Sequence, residues 1–116
     1  MPTTSFASHA VPVTTYDSRG VTARHIASGT GDSHAYVLQF TPGGEIGSHV
    51  AGFDQMFLVL SGSAWIEVNG ERTELSSFGA VLLRRGDSHT TGSVTGATAL
   101  IMQSDQLTPG EPGVLP

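Results

Sequence analysis

Apolar residues in this chain occur only in short runs cut by turn residues, and no stretch of eleven or more positions keeps a helical period. A chain so interrupted is predicted to be all-β, with strands over residues 21–27, 34–41, 55–60, 64–69, 72–75, 80–84 and 97–103. Thirteen threonines and ten valines suit this reading, because β-branched side chains fit a pleated surface, and many of the fifteen glycines fall in the breaks. The sharpest turn signal is Asn69-Gly70: a two-residue type I′ hairpin needs positive φ at both positions, which this dipeptide adopts at little cost. Turn signals at roughly 8–12-residue intervals leave a sandwich, a jelly roll or a small closed antiparallel barrel.

The 116 residues suffice for one core and one domain. Residues 1–20 read as an N-terminal segment, 21–104 as the barrel, and 105–116, with three prolines and two glycines, as a tail. There is no cysteine, so disulfides, thiol nucleophiles and thiolate metal sites are excluded, and any metal must be held by His, Asp, Glu or Gln. All five basic residues are Arg, against ten acidic ones, for a net charge of −5. That balance argues against a nucleic-acid partner, and the lack of lysine excludes a side-chain Schiff base. Neither a signal peptide nor a membrane-spanning run is legible, so the expectation is a soluble, cytoplasmic chain.

Two segments carry the chemistry. In the first, Gly43, His49 and Gly62 fall on the spacing Gly, five residues, His-x-His, three or four residues, Glu, six residues, Gly; Ala51 takes the second His position and Gln55 the Glu position. In the second, Gly86 and His89 fall on Gly-x5-Pro-x-Gly-x2-His-x3-Asn, with the leading Gly displaced to Gly79, Arg84 at the Pro position and Ser93 at the Asn position. In order and separation these segments resemble the paired motifs of the cupin superfamily, over the central half of the chain. The resemblance implies a closed antiparallel β-barrel or jelly roll in which His49, Gln55 and His89 converge at one end. It also implies that they could hold a divalent ion (Zn, Fe, Ni or Mn), although Ala51 removes one usual contact.

The residues themselves point partly the same way. Gln55 opens a strand whose alternate positions Phe57 and Val59 are apolar, and a polar residue at the head of such a face needs a partner. His34 and Asp54 are second-rank metal ligands, the former from a neighbouring strand and the latter only if its side chain turns inward. His25 resembles His34 in pattern, and His9 lies in the N-terminal segment. Arg84, Phe53 and Trp65 are candidate substrate contacts, Arg84 through its fork of donors and the aromatics as cavity lining. Arg85-Gly86-Asp87 reads as a turn.

Two functions stay open. One is a metal-dependent enzyme acting on a small organic, possibly anionic, substrate, which by resemblance would be an oxygenase, isomerase, decarboxylase or polyketide-type cyclase; without a metal, His49 or His89 would serve as catalytic acid or base. The other is a non-catalytic or metal-free barrel that binds a small molecule. A homodimer is also predicted, with Leu58, Leu60, Ile66 and Val68 as candidate interface residues.

Overall fold

A computed structural model describes residues 5–110 and 112. Residues 1–4 of the N-terminal segment, and 111 and 113–116 of the tail, lie outside the described residues. The described residues form nine strands and no helix, hence none long and apolar enough to cross a membrane. The strands are β1 (Val11–Pro12), β2 (Arg19–Gly29), β3 (Ser33–Val50), β4 (Asp54–Gly62), β5 (Ala64–Val68), β6 (Glu71–Leu75), β7 (Ala80–Leu83), β8 (Ser88–Gly92) and β9 (Ala97–Ser104).

Every pairing is antiparallel, and β3 is the spine. Its first half pairs with β2 on one side and β9 on the other, placing Leu38 opposite both Ala23 and Ala99. Its second half pairs with β8, so one strand serves both walls of the barrel. The order β6-β5-β8-β3-β9-β4-β7, with β2 and β1 attached beside β3, wraps into a nearly closed barrel.

β3 runs past the predicted end at residue 41 because Pro42-Gly43-Gly44 bends the strand without ending it. Gly43 sits at φ 80°, and Gly44 packs so closely on the Gly20 and Thr41 backbone that a Cβ would collide with their oxygens. β8 is absent from the predicted strands because Ser88-His89-Thr90-Thr91-Gly92 has no apolar alternation to reveal it. The hairpin between β5 and β6 is as predicted, with Asn69 at φ 49° and Gly70 at φ 87°.

The core fills one end. Phe57, Val59, Ile66, Leu83 and Ala99 are almost fully buried, and Phe40 meets Phe57 edge to face at 6.4 Å. Ser93 pins that end shut: its Oγ donates to the Ser63 carbonyl at 2.6 Å and accepts from Gly96 N–H at 2.8 Å. Ile66 and Val68, expected on an outer interface, belong to the inward face of β5; Ile66 is fully buried and Val68 packs on the core.

Candidate functional site

At the other end, the inward columns of the core finish in polar residues. On β9 the sequence Ala97, Ala99, Ile101 continues to Gln103; on β4 Val59 and Phe57 continue to Gln55. Cross-strand register sets Gln55 directly opposite Gln103, and Gln103 opposite His34. On the facing wall His49 of β3 lies opposite His89 of β8. His49 is three residues beyond the buried Ile46, so strict alternation would turn it outward. A register shift between Ile46 and His49, three residues facing two on β8, restores it to the inside.

The two imidazoles touch, with ring centroids 4.1 Å apart and planes inclined by 56°. Each is anchored through Nδ1 to the carbonyl two residues earlier: His49 donates to Gly47 at 2.8 Å and His89 to Asp87 at 3.4 Å. A carbonyl only accepts, so this bonding places a proton on each Nδ1; in a neutral ring Nε2 is then the nitrogen that carries the lone pair. His89 is buried, and desolvation together with the neighbouring His49 lowers its pKa below the ordinary imidazole value of 6.5. Burial thus favours the neutral form of His89.

These residues line a cavity of about 520 Å³ with apolar walls that include Leu38, Ile46, Phe57, Leu83 and Ile101. Gln55, only 8% exposed, and Gln103 point into it, and neither carboxamide makes a side-chain hydrogen bond among the described residues. Tyr16 closes one side: its ring stacks on His49 at 4.1 Å with planes 7° apart. Tyr16 and Asp17 both have positive φ, 58° and 55°, and the turn is held because Gly47 has no side chain to strike the Tyr16 carbonyl.

The remaining sequence candidates divide. Phe53 lines the cavity. Trp65 and Arg84, expected as substrate contacts, lie outside its lining. Trp65 packs against Gly92 under the Arg72 guanidinium, 4.1 Å from the ring centroid. Arg84 is occupied by Asp54 Oδ2 at 2.8 Å and the Leu107 carbonyl at 3.0 Å. Asp54 precedes the inward Gln55 and so faces the other way, where it accepts from Arg84 and from the backbone N–H groups of Arg85 and Leu107. Those backbone donors, followed by the Arg84 guanidinium, hold its carboxyl below its usual range.

His34 Nδ1 meets Ser28 Oγ at 3.0 Å while its ring edges onto Phe53, placing it beside the cavity rather than in its lining. His25 contacts the same hydroxyl and is exposed. His9 stands against Phe6. Gln103 and Tyr16 were not singled out in the sequence. The signal for Gln103 is the one that marked Gln55, a polar residue ending an apolar alternation, whereas Tyr16 reaches the site through a turn that no periodicity reports.

Among the described residues no three His, Asp or Glu side chains gather as a metal-ligand cluster. Ala51 is buried and its backbone bonds to the Asp87 carbonyl and the Gly86 N–H, contributing only a methyl where a ligand would stand. The donors facing the cavity, His49, His89 and Gln55, fit a divalent ion as a weak site of two imidazoles and an amide, without a carboxylate to offset its charge. The anchored Nδ1 groups are the outer contacts that metal-binding imidazoles use.

No family model matches the sequence, and no curated protein matches it. Solved structures do match. An RmlC-like cupin from Shewanella frigidimarina superimposes with a TM-score of 0.73 at 17% identity, over 88% of this chain and 89% of its own. The chain has the cupin fold. Two further cupin-fold matches are KdgF from a Halomonas species, with a TM-score of 0.64 at 22% identity over 73% and 80% of the two chains, and a predicted oxalate decarboxylase from Thermotoga maritima, with 0.64 at 19% over 71% and 77%. At these identities the likeness to known cupins fixes architecture, and the site must be argued from its own residues.

Proposed function

We propose that this cupin barrel binds a small organic molecule in the cavity and exchanges a proton with it through His49 and His89. One observation carries the proposal: two touching imidazoles, each with its Nδ1 anchored to a backbone carbonyl, line the cavity, which leaves Nε2 as the nitrogen that can meet a ligand. A neutral imidazole in such a place can accept a proton from a bound acid and return it, with the anchoring carbonyl supporting the imidazolium that forms. The cysteine-free chain accords with a cytosolic setting.

A metal-dependent reading is the alternative, favoured by the same Nδ1 anchors. In it His49, Gln55 and His89 hold a divalent ion (Zn, Fe, Ni or Mn), which when bound would polarise a substrate oxygen. Elemental mass spectrometry of untagged protein beside His49→Ala separates the two. Near-stoichiometric metal that the variant loses supports the metal reading, and its absence, with no uptake on titration, supports the metal-free one. The proposal itself is tested by a thermal-shift screen of small organic molecules. A compound that stabilises the parent and fails to stabilise His89→Ala supports it, because only native-state binding raises the melting temperature; compounds acting equally on both would contradict it.

The outer face of the sheet carries a further reading, self-association. Met56 opposes both Met102 and Leu82, and Leu58 opposes Leu100, so their side chains form one apolar surface beside the exposed Leu60. A second copy of the chain is the occupant proposed for it.

A further inference from the structure

We infer that the cavity selects an uncharged ligand with a carboxamide-like edge, one that pairs with the side chains of Gln55 and Gln103 and offers a donor to an imidazole Nε2. This deepens, and rests on, the reading of the cavity as a small-molecule site. The proposal rests on charge and on the polar groups that the cavity leaves open to a ligand.

No Arg, Asp or Glu is among the residues lining the cavity. Of the charged groups within two residues of its lining, Asp17 is exposed to solvent in the Tyr16 turn and the others are engaged elsewhere. Asp54 is held by Arg84 and two backbone N–H groups, and Asp105 is paired with Arg85 at 3.0 Å. Asp87 accepts from Asn69 and the Arg84 backbone, and Glu45 is paired with Arg19 at 3.0 Å. While both imidazoles are unprotonated, a charged ligand would therefore leave water without a counter-ion in the lining, which costs far more than moving a hydrogen-bonding neutral group.

The polar groups that do face the cavity are matched to a neutral partner. Gln55 and Gln103 sit opposite one another on β4 and β9, and each carboxamide has both a donor and an acceptor to satisfy. Gln55 is more than nine-tenths buried and has no side-chain partner among the described residues, yet none of its polar atoms is sealed from solvent without a partner, so its amide is open to a ligand from the cavity side. A lactam, ureide or primary amide presents the complementary donor and acceptor edge. Across the cavity the Nε2 lone pairs accept from an N–H or O–H, and the aromatic rings of Tyr16, Tyr36 and Phe53 suit a planar body.

The test uses three probes of nearly one shape, benzamide, benzoate and benzamidine, which are neutral, anionic and cationic. Binding to the full chain is followed by protein-observed NMR with EDTA present and at about pH 8, above the ordinary imidazole range. Benzamide is expected to bind at least about tenfold more tightly than either charged probe, and to shift the side-chain amides of Gln55 and Gln103. In Gln103→Glu, a nearly isosteric change, preference is expected to move to benzamidine. Benzoate or benzamidine binding the parent cavity as tightly as benzamide would overturn the inference while leaving the small-molecule reading intact. An unchanged preference in Gln103→Glu would likewise overturn it. If no probe moves any cavity resonance, the small-molecule reading falls and takes the inference with it.

Discussion

At the scale of single residues, the site is governed by which atoms have partners. His89 is buried with a lowered pKa, so the unfolded chain, whose imidazole titrates near 6.5, binds the proton more readily than the native one. Stability therefore falls as pH drops through 6.5 towards the folded value, and is retained above it. The melting temperature measured from about pH 8 down to 5.5 should decline, and His89→Gln should flatten that part of the curve; a parallel curve in the variant would place the dependence elsewhere. Asp54 has the opposite logic: its lowered pKa makes its contribution present above the carboxylate range and lost as pH falls through it. Ser93 is 1% exposed and holds two hydrogen bonds, so Ser93→Ala should cost about 1–3 kcal/mol by leaving the Gly96 N–H unmet. Urea denaturation reads that loss directly, and an unchanged midpoint would show that water replaces the hydroxyl.

At the scale of elements, legibility followed pattern. β4 and β9 are apolar runs in which every second residue faces inward, so the polar residue that ends each inward face is readable, and Gln55 is placed that way. β8 was not, because its inward residues are His89 and Thr91, and a strand without apolar residues gives periodicity nothing to report. Backbone irregularities escaped for a related reason. The register shift that turns His49 inward and the left-handed turn that lays Tyr16 on its ring depend on partners distant in sequence. Asn69-Gly70 was legible because its geometry is local. The Tyr16 turn makes its own prediction. Gly47→Ala places a methyl against the Tyr16 carbonyl and should displace the turn, at a cost of about 1–3 kcal/mol. The ring-current shift of the His49 C–H protons should then collapse, as it should in Tyr16→Ala. Retention of that shift in Gly47→Ala would mean that the backbone accommodates the methyl without moving the ring.

At the scale of the whole molecule, the barrel separates its tasks: one end is filled and pinned by Ser93, the other holds a cavity with imidazoles on one wall and carboxamides on the other. The outer apolar face predicts a particle of twice the 12.0 kDa chain in solution, and Leu60→Glu with Met102→Glu should return it to one chain. Light scattering on both decides this, and a monomeric parent would remove the dimer. The account as a whole depends on two lone pairs. Long-range proton–nitrogen NMR spectra of the histidine rings, taken near pH 8 with a chelator present, report directly which ring nitrogen carries the proton. The structure predicts Nδ1–H tautomers with unprotonated Nε2 at both His49 and His89. Nε2–H tautomers at both positions would contradict it, since neither imidazole could then accept a proton from the cavity.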